Sequence, residues 1–194
     1  MSTVGVLALQ GDYEKHAHML KLAGAETLYV REPDHLQRVD ALVIPGGEST
    51  TIGKLMKAYG LIEPIRERIR RHMPVFGTCA GLILLASETK EKHQNRLAVL
   101  DVSVQRNAYG RQVDSFESDI EIPILGDRPF RAVFIRAPIV TDIRDSVAML
   151  AQFEQKAVLL QKEWILAASF HPELTDDLRV HQYFLELVSK YSVG

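Results

Sequence analysis

The chain has 194 residues, 46% of them hydrophobic and 25% charged, with a formal net charge of −2. That length fills one domain with a full core, and the near-balanced charge offers no basic field to nucleic acid or a membrane surface. The only cysteine, Cys79, excludes an intrachain disulfide and a multi-cysteine metal site and fits a reducing compartment. The opening "MSTVGVLALQG" lacks the charged and long apolar regions of a signal peptide. No apolar run approaches the roughly 20 residues of a membrane span, so the expected location is the cytoplasm.

In chain order, "VGVLAL" (4–9) reads as a buried strand. "DYEKHAHMLKLAG" (12–24) reads as a helix, with His16, Met19, Leu20 and Ala23 at helical spacing and Gly24 as its stop. "ETLYV" (26–30) and "ALVIPGG" (41–47) are further strands, the second ending in glycines. "LIEPIRERIRRH" (61–72) is a helix with Pro64 tolerated in its first turn. Its basic run alternates with Ile65 and Ile69 and reads as a solvated face. "PVFGTC" (74–79) is an apolar strand and "AGLILLASE" (80–88) a helix behind it. Strands alternating with helices predict a mainly parallel sheet covered on both faces.

Near residue 97 the pattern changes. "LAVLDVSVQRN" and "SDIEIPIL" alternate with period two, as in Val102 and Val104 or Ile120, Ile122 and Ile124, which predicts half-exposed antiparallel strands. "RAVFIRAP" (131–138), "VAMLAQF" (147–153), "KAVLLQKE" (156–163) and "WILAASFHPE" (164–173) continue in strand style. A final helix spans 175–191, with Thr175 as cap and Val180, Phe184, Leu187 and Tyr191 on one face. The expectation is one α/β domain over 1–194: a mainly parallel, flavodoxin-like central sheet, with a few antiparallel strands in the second half.

Three segments carry possible chemistry. The order strand, Gly77-Thr78-Cys79-Ala80-Gly81, helix is that of a sharp turn that lifts its central residue above the carboxyl edge of a sheet. A thiol there faces a helix N-terminus, which favours thiolate, although free cysteine is more often an inert core filler. His171 differs from His16, His18, His35, His72, His93 and His181, which sit in polar or helix-patterned surroundings. It follows the apolar run "ILAASF", and Glu173 two residues on shares its side of an extended segment. That carboxylate can fix the imidazole's tautomer. "PGGEST" (45–50) places adjacent glycines after a strand, where backbone N–H groups can receive an oxyanion. The P-loop spacing with its Lys is absent. Parallel strands bring their carboxyl ends to one crevice, and that convergence outweighs each motif taken alone.

"PGGEST", "GTCAG" and "SFHPE", in this order, closely resemble the triad (class I) glutamine amidotransferases. "LALQGD" (7–12), "RNAYGRQVDSFE" (106–117) and "VFIRAP" (133–138) narrow the resemblance to the glutaminase subunits of pyridoxal 5′-phosphate synthases, from about residue 4 to residue 190. The resemblance implies a cofactor-free, metal-free glutaminase. In it Cys79 is the nucleophile, His171 the base and acid, and Glu173 the orienting carboxylate. The N–H groups of Gly47 and Ala80 form the oxyanion hole, and Gly47, Glu48, Ser49, Arg106, Ile135 and Arg136 hold L-glutamine. It also implies a PdxS-type synthase partner that receives the ammonia in a large complex of twelve plus twelve subunits. Two other readings stay open: a cysteine-elbow hydrolase such as a γ-glutamyl peptidase, and a non-catalytic regulatory subunit.

Overall fold

Successive residues of a strand point to opposite faces, and in the central strands here both sets are apolar. Val43, Phe76, Leu166 and Ala168 fill one core, while Leu42, Ile44, Val75, Ile165 and Ala167 fill a second. Such strands must be covered on both sides. In the computed structural model, which describes residues 2–90, 95–106, 115–144 and 146–191, they lie between two layers. The elements β1 (Thr3–Leu7), α1 (Tyr13–Leu22), β2 (Glu26–Val30), α2 (Pro33–Leu36), β3 (Ala41–Ile44), α3 (Ser49–Ala58), α4 (Ile62–Arg70), β4 (Val75–Thr78) and α5 (Ala80–Leu85) come first. They are followed by β5 (Ala86–Thr89), β6 (Leu100–Gln105), β7 (Ser115–Ile120), β8 (Phe130–Ile135), β9 (Ile139–Ile143), β10 (Ala148–Phe153), β11 (Lys156–Lys162), β12 (Ile165–Ala168) and α6 (Arg179–Tyr191).

The main sheet runs β10-β11-β12-β4-β3-β1-β2. Neighbours from β12 to β2 are parallel, and β10 and β11 are added antiparallel. The residues of α1 and α6 pack with those of the β7–β8 hairpin in one core. Those of α3, α4 and α5 pack with β6 in the other. Because β1, β3, β4 and β12 are parallel, the segments that leave them emerge at one edge: Gln10–Asp12, Pro45–Gly47, Cys79 and Ser169–His171. The chain turns back between β1 and β3, the topological switch point where open α/β sheets form their crevice.

The expected α/β class, parallel sheet and antiparallel additions are all present, with several corrections. Helices α2 and α3 were not anticipated; in α3 the buried Ile52 and Met56, one turn apart, supply the apolar stripe. The helix expected over 80–88 stops at Leu85 and its last residues become β5. The alternation at Ile120, Ile122 and Ile124 does not extend a strand: β7 ends at Ile120, a 3-10 turn covers Pro123–Leu125, and Ile124 is exposed. Thr175 does not cap α6. Its hydroxyl donates to the Pro172 carbonyl, and Asp177 accepts the Arg179 N–H where the helix begins. His93 and the "NAYGRQVD" part of the 106–117 segment lie outside the described residues.

Candidate active site

Cys79 sits between β4 and α5 with φ 48° and ψ −99°, a backbone that side-chain-bearing residues rarely adopt. Its N–H donates to the Ala168 carbonyl of β12 at 2.8 Å, which ties the turn to the neighbouring strand. The flanking glycines are a steric requirement. A Cβ on Gly81 would lie 2.2 Å from the Ile44 carbonyl oxygen, and one on Gly77 would lie 2.7 Å from the Gly81 carbonyl carbon. The thiol therefore stands at the sheet edge, where it donates to the Ile135 carbonyl at 3.7 Å.

His171 reaches the same edge from β12. The strand stops at Ala168, and the His171 N–H is held by the Val133 carbonyl at 2.8 Å. A 3-10 turn over Pro172–Leu174, rather than an extended strand, then brings Glu173 round to the imidazole. The distance from His171 Nδ1 to Glu173 Oε1 is 2.7 Å. The expected pairing is present, though the geometry behind it is a turn. The buried His171 Nε2 has no hydrogen-bond partner among the described residues. One ring nitrogen is thus fixed by a carboxylate, which leaves the other available beside the thiol.

Burial works against a charged His171, but the contacts with Cys79 and Glu173 outweigh it and push its pKa up to about 10. Burial would likewise raise Glu173. The adjacent His16 and His171 rings overcome that and hold the carboxyl well below the usual carboxylate range.

The third component is the loop after β3. Gly47 has φ 155°, and a Cβ there would lie 2.6 Å from Gln10 Oε1. The Glu48 N–H donates to Gln10 Oε1 at 2.8 Å. Ala80 begins α5, so its N–H is among those a helix leaves without an internal partner. Arg106 contacts the Glu48 carboxylate and donates to Thr50 Oγ1 at 2.9 Å. Ser49 Oγ is buried without a partner at the start of α3.

One open cavity of about 370 Å³ is lined by Gly47, Glu48, Ser49, Cys79, Ala80, Arg106, Ile135, Arg136 and His171. Every site residue expected from the sequence is there except Glu173, which is buried behind His171. Five further residues went unrecognised. Gln10 and Asp12 line the cavity from the loop after β1. Gly46 packs on the imidazole, where a Cβ would lie 2.3 Å from His171 Cε1. His16 and His181, which the sequence leaves in polar or helix-patterned surroundings with no role, are fully buried behind Glu173. The signal for these two was a histidine inside an apolar helical stripe. Asp12, His171 and Glu173 offer donor atoms within 4.8 Å of one another. His171 Nδ1 is already committed to Glu173, an arrangement that suits a hydrogen-bonded pair better than an ion cage.

A parallel α/β sheet with a cysteine elbow and a buried His–Glu pair on its carboxyl edge is the layout of a triad hydrolase. The chain belongs to the SNO glutamine amidotransferase family, whose sequence profile matches residues 6–190. It is 53% identical over 187 residues to the pyridoxal 5′-phosphate synthase subunit PdxT of Carboxydothermus hydrogenoformans, covering 96% of this chain and 98% of that protein. Identity to the PdxT of Pelotomaculum thermopropionicum is 56% over 183 residues, covering 94% and 93%. A crystal structure of a glutamine amidotransferase superposes with a TM-score of 0.91 at 49% identity, over 96% of this chain and 98% of that one. PurLQS of Thermotoga maritima shares the fold alone, with a TM-score of 0.67 at 15% identity over 96% and 99%.

Proposed function

We propose that residues 1–194 form one glutaminase domain, the ammonia-supplying subunit of a pyridoxal 5′-phosphate synthase. The observation that carries this reading is the convergence of the Cys79 elbow, the His171–Glu173 pair and the Gly47 loop on one cavity. Cys79 sulfur attacks the side-chain amide carbon of L-glutamine. The oxyanion is received by the N–H groups of Gly47 and Ala80. His171 passes a proton to the departing nitrogen, and ammonia leaves a γ-glutamyl thioester. His171 then takes a proton from water, whose oxygen bonds to the thioester carbon as the C–S bond breaks, and glutamate is released. Glu173 keeps the imidazole in the tautomer both steps need.

The charges in the cavity suit a zwitterionic amino acid. Arg106 and Arg136 offer donors for the α-carboxylate, and Glu48, beside Arg106, offers an acceptor for the α-ammonium. Ser49 and the Ile135–Arg136 backbone complete the contacts. The ammonia is consumed by a PdxS-type synthase in a cytoplasmic assembly of twelve plus twelve subunits. Docking of that partner raises turnover, because ammonia released without an acceptor is wasted.

Replacing Cys79 by Ala abolishes glutamine hydrolysis while the circular dichroism spectrum and association with the synthase are retained. Full activity in purified Cys79→Ala protein overturns the assignment. Equal turnover with and without the synthase overturns the coupling.

A further inference from the structure

Behind the triad the polar side chains continue inward. His16 of α1, Thr78 at the end of β4 and His181 of α6 are each 0% exposed. His16 Nε2 lies 3.2 Å from Glu173 Oε2 and 3.0 Å from Thr78 Oγ1. His16 Nδ1 lies 3.1 Å from His181 Nε2. A file of side chains therefore runs His181, His16, Glu173, His171, Cys79, from the α6 side of the core to the catalytic edge. Around it the core is apolar, with Phe76 meeting both inner imidazoles edge-on and Phe184 tilted against Phe76. Polar groups buried in such a place cost stability unless paired, and apolar residues of similar size would fill the space at least as well.

The geometry fixes one proton. Glu173 is held as a carboxylate, which only accepts hydrogen bonds. A bare His16 Nε2 would set lone pair against lone pair, so this nitrogen carries hydrogen. His16 Nδ1 and His181 Nε2 then share a single proton. Burial, followed by the nearby His16 ring, pushes His181 down to about 3 against the opposing pull of Glu173. His181 thus orients His16 as a neutral ring and adds no second charge.

We propose that His16 is a positioning residue for the glutaminase reaction: its Nε2–H, hydrogen-bonded to Thr78 Oγ1, stands 3.2 Å from the far oxygen of Glu173, with His181 fixing the ring, and so sets how strongly the near oxygen acts on His171. The inference rests on the glutaminase reading above. During thioester hydrolysis His171 must be neutral to take the proton of water, which it then delivers to the departing Cys79 sulfur; its Nδ1–H stays in place. A carboxylate acting on His171 alone would hold the imidazolium too firmly for that step. Of the contacts that push His171 up to about 10, the one with Cys79 is lost once its sulfur is acylated; by drawing on the same carboxylate, His16 weakens the other and lowers the basicity of His171 further for the deacylation step. Among the described residues, other titratable groups are few at this point. His171 faces Cys79 from α5, and Asp12, ahead of α1, has a carboxylate oxygen within 4.8 Å of the His171 and Glu173 donor atoms.

The test is the pH dependence of kcat for glutamine hydrolysis by the full complex with the synthase. Removing the donor leaves more negative charge on the Glu173 oxygen that faces His171 and also makes Glu173 easier to protonate. Both effects move the acidic limb of kcat upward. His16→Phe is expected to raise that limb by about one pH unit, the size given by loss of a polar N–H from beside a buried carboxylate oxygen, with KM for glutamine unchanged. His16→Gln, whose amide N–H can still donate, returns the limb most of the way. An unmoved limb with merely reduced activity means a structural role and overturns the proposal. Imidazole nitrogen NMR of full-length Cys79→Ala protein tests the contact without turnover: a protonated His16 Nε2 supports it, and a bare Nε2 overturns it even where His16→Phe does not fold. A parent complex that hydrolyses no glutamine defeats the glutaminase reading instead, and leaves the NMR result to decide the contact.

Discussion

Gly46 is the position where one added methyl tests the site most directly. Its backbone runs so close to the His171 ring that a Cβ there would sit 2.3 Å from Cε1 and 2.9 Å from Nδ1. Carbon atoms rest about 3.5–4.0 Å apart, so relief requires a displacement of more than about 1 Å. Gly46 cannot retreat to provide it. Gly11 packs against the Gly46 carbonyl so closely that a Cβ on Gly11 would lie 1.9 Å from that oxygen. The Asp12 N–H also donates to the same carbonyl at 3.1 Å. The imidazole must therefore move, against its bond to Glu173. Misplacing a catalytic group by about 1 Å costs on the order of 100-fold in rate, or about 2.7 kcal/mol of transition-state stabilisation. Overpacking of this kind costs about 1–3 kcal/mol in stability. Gly46→Ala, assayed for glutamine hydrolysis in the synthase complex with its thermal midpoint measured in parallel, should lose about two orders of magnitude in kcat/KM and remain folded. A folded Gly46→Ala protein with parental kcat/KM refutes the argument.

Arg106→Ala should raise KM for glutamine about tenfold or more by removing a charged donor from the α-carboxylate; an unchanged KM places the carboxylate elsewhere. Gly81→Ala should lose about 1–3 kcal/mol in urea unfolding, because its Cβ would meet the Ile44 carbonyl oxygen at 2.2 Å; parental stability shows that the elbow has slack. Stability should peak near neutral pH. Folded His181 titrates at about 3 against an ordinary 6.5, so the unfolded chain binds the proton first and stability drains away as pH falls from 6.5 toward 3. Glu173, held low, adds a further loss below its ordinary 4.5. On the alkaline side, the stability contributed by His171 is complete below 6.5 and lost as pH rises to about 10. Thermal midpoints from pH 4 to 10 check this, and an acid limb no flatter in His181→Phe than in the parent contradicts the His181 part.

Legibility of the fold followed from how much of each signal was local. The parallel strands β1, β3 and β4 are short apolar runs between turn residues, and a continuous apolar run is what a strand buried on both faces looks like. Helix α3 carries little local signal, because the glycines ahead of it mark 45–50 as a turn. Its stripe is also sparse, with Ile52 and Met56 separated by Gly53, Lys54 and Leu55. The end of α5 was misread because "ASE" is compatible with helix. Pairing of Ala86, Glu88 and Thr89 with β6 decides it, and that is a long-range fact. Isoleucines at 120, 122 and 124 alternate as a strand should, yet Pro123 starts a 3-10 turn and sends Ile124 to solvent.

The site divided in the same way. Cys79, His171 and Glu173 were readable because each stands in a short motif whose backbone chemistry is written beside it: glycines around the elbow, proline opening the turn between His171 and Glu173. His16 and His181 had no such motif. Each sits in an apolar helical stripe, where a histidine is ordinarily a core residue with one satisfied nitrogen. What distinguishes them is each other and Glu173, and they are 165 residues apart in the chain. Their hydrogen bonds exist only because α1 and α6 cover the same face of the sheet on which the triad's carboxylate turns inward. An ionised oxygen in an apolar layer is costly when no polar group stands near it, and the far oxygen of Glu173 has the His16 ring nitrogen 3.2 Å away. A carboxylate predicted to be buried behind a histidine therefore implies a polar neighbour on its far side. The candidates are the histidines inside the apolar stripes of the helices that cover it.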